Sequence, residues 1–179
     1  MENIIDFSHY LIKKQLTKAD VSVDMTVGNG NDTLVLAQAS KFVYGFDIQK
    51  EACLKTQELL KDYKNTEIIF VSHEFFEKYI NEEIAGVIFN LGYLPGGNKD
   101  IHTDASTVLE TLKRVLVKLK TRGICIIVFY PGHKSGLEEA NILQEYLKSL
   151  NQKEFDVLKY EFINQINDPP FLIAIKKRI

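Results

Sequence analysis

The sequence predicts an α/β fold: one domain on a doubly wound, seven-stranded, mostly parallel sheet. Three observations carry that prediction. Strand-like and helix-like hydrophobic periods alternate from residue 21 to residue 150, the signature of consecutive βα units. Ile124-Cys-Ile-Ile-Val-Phe129 is apolar throughout with no alternation, which marks a strand covered on both faces by helices. Val21-Ser-Val-Asp-Met-Thr-Val-Gly-Asn-Gly-Asn-Asp-Thr33 reads as a strand, a glycine-bearing turn and a helix start. Phe42-Val-Tyr-Gly-Phe-Asp47 then reads as a second strand ending in an acid. Together they form the first βαβ unit of a nucleotide-binding domain.

The elements follow in order. An amphipathic helix over about 4–16 offers Ile5, Tyr10, Leu11 and Ile12 as its apolar candidates. The first strand, 21–25, leads into a helix from Asp32 to about 39, for which Asp32 is the candidate N-cap. Strand 42–46 and a helix over 50–63 come next, then strand 67–71 and a short helix through 75–80. The fourth strand, 86–90, opens into the turn-rich Leu91-Gly-Tyr-Leu-Pro-Gly-Gly-Asn-Lys-Asp100. A helix over 104–119 starts near a Thr-Asp-Ala-Ser cap cluster. The fifth strand, 123–130, ends in a second glycine turn, Tyr130-Pro-Gly-His-Lys-Ser-Gly136, before a helix over 137–150. Strands 155–163 and 171–177, joined by Asn164-Gln-Ile-Asn-Asp-Pro-Pro170, form a C-terminal hairpin that adds one antiparallel strand at the sheet edge.

With 179 residues the chain suits a single domain over 1–179, and 45% hydrophobic with 26% charged residues is ordinary for a soluble protein. No apolar run approaches the ~20 residues of a membrane span. Met-Glu-Asn-Ile-Ile-Asp-Phe7 lacks the basic start of a secretion signal. Cys53 and Cys125 are scattered, which fits a reducing cytoplasm better than a disulfide framework. A net charge of −2 excludes a general nucleic-acid coat but leaves room for a local basic patch. Three clusters qualify, each equally readable as a solvated face: Lys13, Lys14 and Lys18; Lys113, Arg114, Lys118, Lys120 and Arg122; and Lys176, Lys177 and Arg178.

In an open parallel sheet, ligands sit beyond the carboxyl ends of the strands, where the strand order reverses. The unusual segments here fall at such ends. Gly28 and Gly30 permit a tight turn and a close approach of the backbone to a ligand. Asp47, 19 residues after Gly28, is placed to take a ribose hydroxyl pair. A diphosphate site wants a third glycine and no acid at the helix start, whereas Asp24 and Asp32 flank this turn. Two carboxylates repel a diphosphate but suit an ammonium and a sulfonium, which points to S-adenosyl-L-methionine over NAD.

After the fourth strand, Asn90-Leu-Gly-Tyr-Leu-Pro95 echoes the Asn/Asp-Pro-Pro-Tyr segment of amine methyltransferases, with Leu91 where the first proline stands. Asn90 would orient an amine by its amide oxygen and Tyr93 would stack on a base, alignment being a large part of such catalysis. The competing reading is a strand-end Asn capping its own turn. His133 would accept a proton or contact a phosphate. His9 and His102 read as structural, and His73 faces the expected adenine edge. No metal-ligand spacing is present, so no metal is expected.

Five stretches carry a resemblance: Asp24-Met-Thr-Val-Gly-Asn-Gly-Asn-Asp-Thr33, Gly45-Phe-Asp-Ile-Gln49, Phe89-Asn-Leu-Gly-Tyr-Leu-Pro-Gly-Gly97, Tyr130-Pro-Gly-His133 and Phe162-Ile-Asn-Gln-Ile-Asn-Asp-Pro-Pro170. The chain resembles, over nearly its whole length, a small bacterial family first labelled rRNA methylases and later assigned to tRNA wobble-uridine methylation. Its departures from the family pattern are small: Asn98 stands where Asp is commoner, and Lys134-Ser135 interrupts a usual Pro-Gly or Gly-Gly step. The resemblance implies a Rossmann-like class I methyltransferase core. It also implies N-methylation of the amine of 5-aminomethyl-(2-thio)uridine at tRNA position 34, with the tRNA anticodon stem-loop as partner.

Cofactor contacts are then expected from Asp24, Thr26, Gly28, Asn29, Gly30, Asn31, Asp32 and Thr33, from Asp47, Ile48 and Gln49, and from Ser72, His73 and Asn90. Substrate contacts are expected from Tyr93, Pro95, Gly96, Gly97, Lys99, Tyr130, His133, Asn164 and Asn167. Asn90, Tyr93 and His133 are the catalytic candidates, with the proton acceptor open between side chains, a backbone carbonyl and solvent. A homodimer stays open too. The alternatives are an rRNA or small-molecule amine methyltransferase, or a non-catalytic cofactor- or RNA-binding subunit.

Overall fold

The computed structural model describes residues 1–92 and 104–179. Tyr93, Pro95, Gly96, Gly97, Asn98, Lys99 and His102 lie outside the described residues. Seven strands form one sheet: β1 Val21–Asp24, β2 Phe42–Asp47, β3 Thr66–Phe70, β4 Ile84–Leu91, β5 Leu119–Phe129, β6 Phe155–Tyr160 and β7 Phe171–Lys177. Their order is β3-β2-β1-β4-β5-β7-β6. The first five strands pair in parallel, and β7 runs antiparallel to both β5 and β6.

The C-terminal hairpin is present, but its antiparallel strand sits one place in from the edge, and β6 takes the edge itself. The side chains explain the inversion. β7 begins Phe-Leu-Ile-Ala-Ile, all buried, while the four central residues of β6 are exposed. The apolar strand occupies the position covered on both faces.

Five helices flank the sheet: α1 Ile4–Gln15, α2 Asn31–Ala39, α3 Lys50–Leu59, α4 Ala105–Lys118 and α5 Lys134–Lys148. β5 shows why its sequence carries no alternation. Cys125, Ile127 and Phe129 join one core with Val108, Leu112, Leu143 and Phe89, under α4 and α5. Ile124, Ile126 and Val128 join the other, with Ile12, Leu16 and Leu36 of the α1 and α2 side. Successive side chains point to opposite faces, and here both faces are core. Because the chain steps outward from β1 to β2 and β3 and then returns to place β4 on the other side of β1, the order reverses between β1 and β4. The carboxyl ends of those two strands are therefore the place for a ligand.

The basic clusters serve mainly the other end of the sheet. Leu119 opens β5 directly after α4, and Lys176 pairs with Ile124, so both positions lie far from the crevice. Lys177 Nζ donates to the carbonyls of Leu116, Val117 and Leu119 at 3.4, 3.1 and 2.7 Å, where α4 ends and its last C=O groups lack helical partners. Lys18 does the same for Ala37 and Ser40 at the end of α2. Lys120 pairs with the buried Asp20, Arg178 with Asp156, and Arg114 with Glu77. These cations hold helix ends and strand ends together.

Lys177→Met is expected to destabilise the fold by about 1 kcal/mol, the scale of a partly exposed charged donor to carbonyls at a helix terminus. The urea midpoint should fall while cofactor affinity stays unchanged.

Candidate active site

The site grows from the turn after β1. Gly28 and Gly30 adopt φ of 53° and 81°, a left-handed conformation that costs side-chain-bearing residues free energy. Gly30 is the N-cap of α2 and provides no side-chain cap. A Cβ there would lie 2.7 Å from Thr56 Oγ1, so α3 closes over the turn as well. The capping position expected for Asp32 thus belongs to Gly30. Asp32 instead lies in the first turn of α2, 6% exposed, with partners drawn from distant elements. His9 Nε2 approaches Asp32 Oδ1 at 2.6 Å, and Asn90 Nδ2 donates to Asp32 Oδ2 at 3.0 Å.

Asp47 ties the turn to β2. Its Oδ2 accepts from Gly28 N at 2.9 Å and its Oδ1 from Gln49 N at 2.8 Å. Thr26 Oγ1 accepts from Asn90 N at 2.7 Å, which fixes the end of β4 beside β1.

These residues border a cavity of about 790 Å3 at the carboxyl ends of the strands. Of the expected residues, Thr26, Gly28, Asn29, Asn31, Asp32, Asp47, Ile48, Gln49, His73, Asn90, Tyr130 and His133 line it. Asp24, Gly30, Thr33 and Ser72 stand off the wall. Asp24, expected to touch the cofactor, is fully buried, and its oxygens accept from Thr26 N and Thr33 Oγ1 at 3.1 and 2.6 Å. It supports the turn from behind. Ser72 caps the 3-10 helix His73–Lys78 by accepting from Glu74 N. Asn164 and Asn167 are exposed in the β6–β7 loop, away from the wall.

The wall also holds residues that the sequence reading missed: Ile5, Asp104, Ser135, Gly136, Glu138, Glu139 and Ile142. His9, read as structural, reaches the same site through Asp32. Its spacing of four residues from Ile5 sets both on one face of α1, a signal available in the sequence. Its pairing with Asp32 is a contact between distant elements with no local signature.

His133 is the N-cap of α5. Its Nδ1 accepts from Gly136 N at 2.9 Å, so the neutral ring carries its proton on Nε2 and offers a donor rather than a base. Gly136 is required for this closure, since a Cβ would fall 2.4 Å from Tyr130 O and 2.6 Å from the His133 ring.

The electrostatics are one-sided. Asp32, Asp47, Asp104, Glu138 and Glu139 line the cavity, and no Lys or Arg does so among the described residues. Burial, then the charge of Asp32, pushes the Asp24 carboxyl up to about 7. Burial, then Asp104, does the same for Glu139, also to about 7. Burial raises Asp47 against its backbone N–H bonds. Burial and the charge of Asp32 raise Tyr130, with a hydrogen bond from Asn90 acting in the other direction. Burial, then Arg114, lowers His73 to about 4, leaving a neutral ring. Its Nδ1 is 3.3 Å from Thr111 Oγ1 and its Nε2 has no partner among the described residues. No cluster of three His, Cys, Asp or Glu is arranged for a metal among the described residues.

A family model described as "Putative rRNA methylase" matches residues 43–176. The chain belongs to that family. It is 39% identical to a protein described as a "putative rRNA-methylase" from Clostridium thermocellum, with a TM-score of 0.95 over 99% of this chain and 98% of that one. It is 38% identical to a protein described as "a putative methyltransferase" from Streptococcus mutans, solved in complex with SAH, with a TM-score of 0.93 over 99% of both chains. An Arabidopsis thaliana protein named tRNA (mnm(5)s(2)U34)-methyltransferase, chloroplastic, is 31% identical across 96% of this chain and 69% of its own length. The protein is an S-adenosylmethionine-dependent methyltransferase with the Rossmann-like class I fold.

The wall suits that cofactor. A sulfonium and an ammonium meet five carboxylates, where a diphosphate would meet the same charges as repulsion. The unpaired, buried His73 Nε2 is a polar atom in need of a partner, as a nucleoside would supply.

The raised acids give the methyltransferase a pH signature. In the ligand-free protein Glu139 ionises only near pH 7. A cationic ligand favours the ionised form and draws off the proton, so affinity for the cation rises as pH increases through 7. The affinity of S-adenosylmethionine relative to uncharged-sulfur S-adenosylhomocysteine should rise several-fold between pH 6 and 8. Glu139→Gln should flatten that rise in calorimetric titrations.

Proposed function

We propose that the methyltransferase N-methylates the amine of 5-aminomethyl-(2-thio)uridine at wobble position 34 of tRNA, giving the 5-methylaminomethyl form, with the anticodon stem-loop as partner in the cytoplasm. The observation that carries this reading is the acid-walled cavity with the Asn90 amide at its floor. A pocket lined by carboxylates, and by no Lys or Arg among the described residues, attracts a substrate cation as well as the cofactor cation. An alkylamine is such a cation, whereas a bare uridine or a ribose hydroxyl is not. The name of the Arabidopsis relative supports the same substrate.

When bound, S-adenosylmethionine supplies an electrophilic methyl: the N–C bond forms as the S–C bond breaks, the S–C pair stays on sulfur, and the acceptor ammonium has first lost one proton. The chain's own groups prepare the acceptor. Asn90, held by Thr26 through its backbone and by Asp32 through its side chain, orients the amine for in-line attack. Asp32 and Glu139 draw the ammonium in. His133, whose Nδ1 is occupied in capping α5, is not the base in this reading, which leaves solvent or a carboxylate as the proton acceptor. Tyr130 flanks Asn90 on the wall. Tyr93, Pro95, Gly96, Gly97 and Lys99 complete the substrate side in this proposal.

Tritium transfer to tRNA from cells lacking this gene, which carries the unmethylated amine, should far exceed transfer to an unmodified transcript. Asn90→Ala should cut turnover by roughly two orders of magnitude at nearly unchanged cofactor affinity. Equal labelling of both tRNAs, or labelling of rRNA alone, overturns the wobble-amine reading. Full activity of Asn90→Ala overturns the orienting role.

A further inference from the structure

The first helix carries a residue that reaches this reaction without lining the cavity, an inference that rests on the amine-methylation reading above. His9 lies one turn beyond Ile5, which is on the wall, and its Nε2 sits 2.6 Å from Asp32 Oδ1 with 18% of its side chain exposed. The second oxygen of the same carboxylate accepts from Asn90 Nδ2 at 3.0 Å. An ionised carboxylate has acceptors only, so the amide presents its NH2 to Asp32, and the flipped amide would set oxygen against oxygen. The backbone N–H of Asn90 is bound to Thr26 Oγ1 at 2.7 Å, so the amide turns about a fixed main chain. Its orientation therefore depends on where Asp32 is held.

Asp32 is 6% exposed, and the groups around it come from four elements: His9 from α1, Asp24 from β1, Asn90 from β4 and Tyr130 from the end of β5. Asp24 repels it. His9 is the donor on the oxygen that Asn90 leaves open, and it comes from a helix that otherwise packs through Ile4 and Ile12.

We propose that His9 is a positioning residue for methyl transfer: by holding Asp32 from α1 it sets the Asn90 amide with its oxygen toward the acceptor amine. Misplacement of a reacting group by about 1 Å costs up to about 100-fold in rate, so loss of this hold should appear in turnover and not in binding.

The test uses the full chain and tRNA carrying the unmethylated amine. His9→Ala should lower kcat roughly tenfold or more, with KM for tRNA and calorimetric affinity for S-adenosylhomocysteine within about twofold. His9→Gln, whose amide N–H still donates to Asp32, should recover most of the rate. His9→Ala combined with Asn90→Ala should be no slower than Asn90→Ala alone, because the first acts through the second. Asp32→Asn, nearly isosteric, lets the Asn90 amide face it either way and should also lose turnover with little change in melting temperature. An unchanged kcat in His9→Ala, a loss that multiplies in full with that of Asn90→Ala, or a folded His9→Gln as slow as His9→Ala overturns the proposal. A fully active Asn90→Ala, by contrast, overturns the underlying reading of the reaction.

Discussion

Three carboxylates converge where the strand order reverses: Asp24 at the end of β1, Asp32 in the first turn of α2 and Asp47 at the end of β2. Like charges so close, two of them almost wholly buried, oppose folding unless each finds donors. Each does. Thr33 and the backbone of Thr26 serve Asp24, His9 and Asn90 serve Asp32, and the backbone N–H groups of Gly28 and Gln49 serve Asp47. Those donors come from α1, α2, β4 and both turns, so satisfying the acids fixes how the elements meet. The left-handed Gly28 and Gly30 follow from the same demand, because the chain must reverse within a few residues to aim its N–H groups at Asp47.

That arrangement is stable without a ligand only at the expense of shifted protons. Asp24 is held near 7 by burial and by the charge of Asp32. A cation in the neighbouring cavity lowers the free energy of every ionised acid around it at once. The site is thus prepared for positive charge through its unfavourable ionisation. A sulfonium cofactor and the ammonium of the proposed substrate are alike in the charge that this wall favours.

The fold was legible because its signals are local and repeated. Alternating periods gave the βα units, and the unbroken Ile124–Phe129 apolar run announced a strand with core on both sides, as the division of its side chains between two cores confirms. The order of the last two strands was less legible, since the hairpin pattern is the same whichever strand lies outside. The burial of Phe171-Leu-Ile-Ala-Ile175 against the exposure of β6 decides it. Much of the cavity wall was also legible, because glycine turns and strand-end acids are punctuation that a single sequence displays. Asp24 and His9 exchanged places between expectation and structure for one reason: their partners lie at sequence distances that no periodicity encodes. Asp24 turned out to be support, and a histidine two elements away turned out to touch the site through Asp32.

Charge separates the two ends of the molecule. At the amino ends of the strands, Lys18 and Lys177 spend their charge on helix carbonyls, while Lys120 and Arg178 answer Asp20 and Asp156. At the carboxyl ends the cavity is acidic. Among the described residues a polyanion finds no cation on that wall, whereas a cationic group finds five carboxylates. In the proposed reaction, selection among nucleic acids rests on a modification already present on the base. There a single amine, protonated on arrival and neutral at attack, would distinguish the base from the unmodified uridines around it.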